Sequence, residues 1–577
     1  MTRTAAEARP VVAALGLVAA ASAATLALTA AHPAPAEGRA HPLAVTAEPP
    51  AEPPAEPPAE PPAEPARRAD PLAHARARGD RLDNPEAPIP PQCYTRTGAA
   101  SNPCYACHTA AHGENATHDW DLQAEYAFSA LGRTNHWTNL FVDRRPAIAA
   151  ITDDEVLAHV REDNYAPLRA ALRGRADYRG YVPDLDLAAG FDARGFAVDG
   201  SHWRAYTFKP FVGAFWPTNG SAGDAMVRLD LPFRTDRDGH PSAELHAINL
   251  AILEAAIASD PRLPAADLRW PTEPLDEAAA GLDLDGDGRL GRATHLHGLP
   301  AAYVGAAAGW PVRRGVFPEG TEFLHSVRYL DPDAPGLIAA RMKELRYARK
   351  VQELDRWALQ HAHERAVDER QEGKPPRLRG SAEAGLRGDF GWQLQGFIED
   401  ERGDLRLQSA EEHLYCMGCH DGIGVTVDQT FSFARKPPGA RGWRYQDLRG
   451  LPDAPQLGHA EPEYLEYMRR VGGGDELRAN AELLARFFTA EGRVRSDLVR
   501  AAPDITAILT PSRARALALD KAYWLIVREQ SFTRGRDAVL APAANVHREI
   551  GAQATDLAAA GTVHRDGQLR LAWPESP

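Results

Sequence analysis

Cys104-Tyr105-Ala106-Cys107-His108 and Cys416-Met417-Gly418-Cys419-His420 share one form: two thiols three positions apart, with a histidine directly after the second. That spacing suits covalent haem. Two thiols one helical turn apart reach the two vinyl groups of one porphyrin, and the next residue lies under the ring, where an imidazole ligates the iron. The reading assigns Cys104, Cys107, His108, Cys416, Cys419 and His420 to cofactor attachment, with His108 and His420 as proximal iron ligands. A Cys-x-x-Cys pair alone is also half of a zinc site or a redox dithiol. The histidine ending both motifs, and only one further cysteine, Cys93, favour two haems.

Haem is attached outside the cytoplasm, and the N-terminus agrees. Arg3 and Arg9 precede an uncharged, Ala/Val/Leu-rich run from Pro10 to Ala31, with small residues Ala34 and Ala36 before Glu37. This predicts a signal peptide over 1–36, or an uncleaved anchor, since about 20 apolar residues also span a bilayer. No cysteine lies near it, which reads against a lipid anchor. The expected location is periplasmic or otherwise extracytoplasmic, with a possible tether through this segment.

From 47 to 65 the chain repeats Ala-Glu-Pro-Pro. Proline at that density predicts an extended polyproline linker, spanning roughly 60 Å at about 3.1 Å per residue. The linker covers 37–87. It is either a plain spacer or a stalk.

The 577 residues exceed one ordinary domain of roughly 150. Three parts are expected after the linker: a first haem region over 88–200, a mixed α/β region over 201–333, and a mostly helical second haem region over 334–577. Helices are predicted at 152–161, 242–259, 334–372, 461–470, 475–491 and 512–528 from apolar spacing, first-turn acids and Arg/Glu/Ala/Leu density. Strands are predicted at 323–330 and 390–399, with short strands and turns among the aromatics of 203–233. The fold class expected is mainly α with extensive loops and minor β, wrapping haem as cytochromes c do.

The motif pair behind an export signal resembles c-type cytochromes. Asn102-Pro103-Cys104-Tyr105-Ala106-Cys107-His108 and Gly320-Thr321-Glu322-Phe323-Leu324-His325 look like a large, poorly characterised bacterial group of periplasmic di-haem cytochromes c. Di-haem peroxidases and methylamine-maturation enzymes are similar in carrying two such motifs, as, more distantly, are the rubber-cleaving di-haem oxygenases. Here the motifs stand 312 residues apart (416 − 104), farther than is usual in those families.

The ligand opposite each proximal histidine decides between an electron carrier and an open site. His325, His136 and Cys93 are the candidates; His118, His413 and Met468 are further options. Cys93 is alternatively an inert buried thiol. Arg435, Lys436 and Arg441 are placed to neutralise haem propionates, or form a solvated turn. Asp283, Asp285 and Asp287, with the Arg289 carbonyl, match a calcium loop in which Gly288 makes the turn and Leu290 anchors to the core; Thr294 stands where a bidentate Glu is usual.

The net charge of −14 argues against nucleic acid and permits steering toward redox partner proteins. The function expected is electron transfer through two covalent haems and, to calcium, a structural role. Two alternatives stand beside it: a haem-dependent oxidoreductase acting on a small molecule at one open iron, and a scaffold in an extracytoplasmic redox complex. The sequence assigns no catalytic residue.

Overall fold

The computed structural model describes residues 69–113, 115, 117–213, 217–472, 480–551 and 563–574. The chain divides into two compact units, Met1–Ala66 and Arg67–Pro577, and the described residues belong to the second. The signal segment and most of the linker, including the Ala-Glu-Pro-Pro repeat, lie outside them, as do residues 475–479 of the helix expected over 475–491.

Ten strands are present among the described residues: β1 Arg204–Tyr206, β2 Ala222–Arg228, β3 Arg269–Asp276, β4 Arg292–His297, β5 Glu322–Leu330, β6 Ile338–Lys350, β7 Arg379–Ser381, β8 Gly385–Arg387, β9 Trp392–Glu399 and β10 Leu405–Leu407. Eight of them build one antiparallel sheet in the order β1-β2-β5-β6-β9-β8-β7, with β10 on β9; β3 and β4 pair separately. The mainly α, haem-wrapping architecture expected from the sequence is therefore wrong. The organising element is a large sheet.

The error has an identifiable cause. The helix expected over 334–372 is strand β6, followed by a helix over Arg356–Gln371. Its Arg, Lys and Glu density suggested a solvated helix. In the sheet these charges are buried and paired: Arg341 with Glu399 at 3.2 Å, Glu344 with Arg536 at 2.9 Å, and Lys350 with Asp428 at 2.6 Å. Central-strand pairing on both edges, to β5 and β9, overrides local propensity.

Alternation along the strands separates two cores. Met226, Leu324, Leu345 and Phe397 pack with Trp203, Tyr165 and Leu168 on one side. Val227, Phe323, Trp392 and Leu394 face the larger core, with Phe317, Phe433, Leu414 and Met417. Elsewhere the helices follow the sequence reading: α1 over Asp153–Val160 with a Thr152–Glu155 capping box, α2 over Ala243–Ala258, α3 over Glu463–Val471 and α4 over Arg513–Glu529.

Candidate functional site

The second motif ends a helix over Ala410–His420 that packs on β8 and β9. Its start is fixed by a capping box: Ser409 Oγ accepts from Glu412 N at 3.3 Å, and Glu412 accepts from Ser409 N at 2.7 Å. His413 pins the helix to the sheet. Its Nδ1 donates to the Ser409 carbonyl at 2.8 Å, and its Nε2 accepts from Gly396 N at 2.9 Å. With both nitrogens used, His413 is no iron ligand. One turn on, Met417 is buried in the core. Gly418 lets the Pro88 carbonyl approach to a position a Cβ would occupy.

The first motif lies in a 3-10 turn over Pro103–Ala106, opened by proline. Cys107 N and His108 N both donate to the Cys104 carbonyl, at 3.1 and 2.9 Å. Buried Asp119 then joins the two motif regions. Its carboxylate accepts from His108 Nδ1 at 2.8 Å, from Thr109 N at 3.0 Å and from Gly424 N at 2.9 Å. Val425 N also donates to the Cys107 carbonyl at 3.0 Å. Segments far apart in sequence thus meet, and one cavity of about 290 Å³ is lined by Cys93, Cys104, Cys107, His108 and Cys419. That volume is near the lower end of cofactor sites, about 300–1,000 Å³.

Both motif histidines are oriented in the same way. A carboxylate only accepts, so His108 Nδ1 is the donor to Asp119. His420 Nδ1 donates to the Gln429 carbonyl at 3.2 Å, with the same result. A ring N–H held by an acceptor is the usual support for a metal-ligating histidine. Burial, then Arg346, lowers the His420 pKa to about 4, keeping it neutral.

Three of the thiols, Cys93, Cys107 and Cys419, are held protonated. Burial pushes Cys419 up to about 11, and burial aided by neighbouring thiols raises Cys93 and Cys107 further. No disulfide forms among the five. Neither metal-capable cluster of His, Cys, Asp and Glu atoms found among the described residues includes a cysteine, so the geometry offers neither a zinc cage nor a disulfide. Asp421 also lines the cavity, and burial beside Asp389 and Glu369 pushes it up to about 7.

The remaining sequence candidates separate clearly. Cys93 lines the cavity beside the first motif. His325 pairs in register with Arg346 across β5 and β6, and its charge would be felt at His420. Burial, then Arg346, lowers His325 to about 4. His136 does not line the cavity; its Nε2 meets the Leu131 carbonyl at 3.3 Å. Arg435 is held by Glu463 at 2.6 Å and Lys436 by Glu254 at 2.8 Å, while Arg441 bonds the Gly450 carbonyl. They are core ion pairs and a loop contact. Asp119 and Gln429, which orient the two rings, escaped sequence reading because no motif fixes their spacing from the histidines.

In the acidic loop, Asp283 accepts from Gly286 N at 2.7 Å and Gly288 N at 2.8 Å, and Asp287 accepts from Arg289 N at 2.7 Å. Glu277 joins Asp283 and Asp285 as a group able to hold a metal ion. It also accepts from Leu284 N at 2.6 Å and Gly291 N at 2.7 Å. Leu290 is 55% exposed and anchors nothing.

His413 gives a pH prediction. Burial lowers it to about 4, partly offset by the Ser409 carbonyl. Neutral in the fold, it contributes stability above its unfolded pKa near 6.5 that is lost as pH falls through about 4. Urea unfolding from pH 7 to 4.5 should show His413→Gln flattening the slope by up to about 1.4 kcal/mol per pH unit. An unchanged slope would mean that His413 is already protonated.

A sheet-based exported protein with a cysteine–histidine cavity is the class these features define. Residues 77–507 match the model of a lipoprotein family, described as "-like lipoprotein". The chain is 32% identical over 525 residues to a protein of Aquifex aeolicus (strain VF5) named "Uncharacterized lipoprotein", covering 79% of this chain and 86% of that one. The chain belongs to this lipoprotein family. No solved structure matches it. The resemblance to periplasmic cytochromes c is thereby overturned as a classification: the matches are to lipoproteins, and no cytochrome c or haem-binding family is among them. The family places the chain among exported, membrane-associated proteins. Among the described residues no helix is long and apolar enough to cross a membrane.

Proposed function

We propose that this lipoprotein-family member is an extracytoplasmic electron-transfer protein with one covalently held haem at each Cys-x-x-Cys-His motif. The observation that carries the reading is the matched state of the two histidines, each with Nδ1–H given to an acceptor beside a paired-thiol turn. Cys104, Cys107 and His108 would hold one group, and Cys416, Cys419 and His420 the other. A bound haem supplies a one-electron iron couple. The chain's own part is to aim both imidazoles and to bring both motifs to one cavity. His325 is the candidate second ligand at motif two, and Cys93 at motif one. Redox proteins are the partners, and the apolar run of 10–31 is the membrane tether. The test is expression with haem-attachment machinery and a pyridine haemochrome assay on the purified chain. Two haems per chain are expected, and none would sink the proposal.

The acidic loop adds calcium as a structural ion, supported by buried Glu277 reaching the loop from upstream. A ligand bound only by the fold stabilises it by about 2.7 kcal/mol at a hundredfold excess over its Kd. Calcium should raise the melting temperature of the wild type and leave Asp283→Asn/Asp285→Asn unmoved. Equal response in both would refute the site.

A further inference from the structure

The carbonyl that holds the His420 ring belongs to a turn with an uncommon backbone. Asp428 and Gln429 both have positive φ, 49° and 59°. Val427 N donates to the Thr430 carbonyl at 3.3 Å, and Thr430 N to the Val427 carbonyl at 3.2 Å. The two residues are therefore the centre of a tight turn, with positive φ at both positions as in type I′. That conformation crowds a Cβ against the backbone and suits glycine, or Asn and Asp. Asp428 fits it, while the second position ordinarily takes glycine and here holds Gln429. The turn is also buried, with Asp428 6% and Gln429 3% exposed, whereas connecting segments ordinarily run over the surface.

Residues with a side chain persist in such backbone only where their surroundings fix them. Here the ties run through Asp428. Its Oδ1 accepts from Lys350 Nζ at 2.6 Å, its Oδ2 from Phe317 N at 2.8 Å, and its carbonyl from Trp392 Nε1 at 2.6 Å. Lys350 and Trp392 face each other in register on β6 and β9. Lys350 is fully buried, and a buried ammonium requires a partner; Asp428 supplies it. The sheet thus clamps one side of the turn. On the other side, the Gln429 carbonyl accepts from His420 Nδ1 at 3.2 Å. Phe431 meets the same imidazole in a T-shaped contact, with ring centroids 5.5 Å apart.

We infer that Lys350 is a positioning residue for His420, acting through Asp428. The buried ion pair locks the left-handed turn, and the turn fixes the imidazole. The inference deepens the function proposed above and rests on it for the iron that His420 would hold. With its carbonyl partner fixed, Nδ1 stays the donor and Nε2 is left for a metal.

The experiment is hydrogen exchange of the His420 Nδ1–H. It is read by heteronuclear NMR on the full chain with isotope-labelled histidine, kept reduced with dithionite, and His420→Gln assigns the signal. Lys350→Leu/Asp428→Asn removes both charges and leaves no buried ion behind. It should speed exchange by roughly five- to tenfold, as for the loss of one neutral hydrogen bond. Adding Gln429→Gly creates an Asn-Gly pair, which favours the type I′ form by itself. The wild-type rate should then return with the ion pair still absent, and that rescue separates control of the turn from a general role in the core. Unchanged exchange in the double variant, or no rescue by Gln429→Gly, overturns the inference. If circular dichroism shows the double variant unfolded, Asp428→Asn alone decides. Its amide nitrogen cannot accept, so one tie of the turn is lost, and an unaltered rate would equally overturn the inference. Haem is counted separately by pyridine haemochrome: a chain without haem sinks the proposed function and leaves the exchange result standing.

Discussion

Replacing Cys416 and Cys419 together by alanine should halve the covalently bound haem and leave the chain folded. On the proposed function, the two thioether bonds of the second group would have no other source, since Cys93 is the one cysteine outside the motifs. The fold should tolerate the change for local reasons. Alanine is the best helix former, and the helix over Ala410–His420 keeps its Ser409 capping box and the His413 link to Gly396. Met417 retains its core contacts, and Gly418 still admits the Pro88 carbonyl. Truncating two small thiols removes little apolar area, about 1 kcal/mol in all by area bookkeeping. The measurement is haem per chain by pyridine haemochrome, with circular dichroism as the control for folding. Cys93→Ala should leave two haems attached. A double-alanine variant still carrying two would show that the second motif is not an attachment site.

The second large effect is on stability. Glu463 is buried and accepts from Arg435 Nη1 at 2.8 Å and Nη2 at 2.6 Å, from Gln456 at 3.2 Å, and from Lys209. Asp453 also reaches Lys209, at 3.0 Å. Burial would raise the Glu463 pKa, but Arg435 and Lys209 hold it down to about 2. Its contribution is therefore present above the unfolded value near 4.5 and is lost as pH falls through about 2. Glu463→Leu leaves the Arg435 guanidinium buried without its carboxylate, and such breaks cost about 3–5 kcal/mol. Guanidinium unfolding at pH 7 should show that loss, and it should shrink toward pH 3. A loss under about 1 kcal/mol would mean that water reaches Arg435. Because Arg435 also bonds the Lys209 and Pro210 carbonyls at 2.9 Å, the variant should loosen the segment after motif two as well.

The chemistry of this chain was easier to read than its scaffold. Six cysteine and histidine positions stand out by local spacing alone, and the haem function proposed for them rests on that spacing. Strand β6 does not declare itself. Its residues 338–350 look helical because the partners of Arg341, Glu344 and Lys350 lie 58, 192 and 78 positions away, beyond any window of periodicity. Arg435 and Lys436 were misread for the same reason: a basic pair in a turn looks solvated until Glu463 and Glu254 close on it. The carboxylate of Asp119 and the carbonyl of Gln429 belong to neither motif by spacing, yet they set both imidazoles. A calcium-loop pattern was visible from Asp283, while the contribution of Glu277 needed the fold.

The first motif is enclosed by chain from the far end. Arg96 N donates to the Asn545 carbonyl at 2.7 Å, Ala110 N to the Arg565 carbonyl at 3.2 Å, and Gln123 Nε2 to the His564 carbonyl at 2.7 Å. During export the N-terminal part emerges first, so Cys104 and Cys107 reach the outside well before Asn545, His564 and Arg565 arrive beside them. On the proposed function, that delay is a window in which attachment enzymes would work on an open chain, and it closes when synthesis and translocation finish. Late steps of folding then seal the site from the far end of the chain.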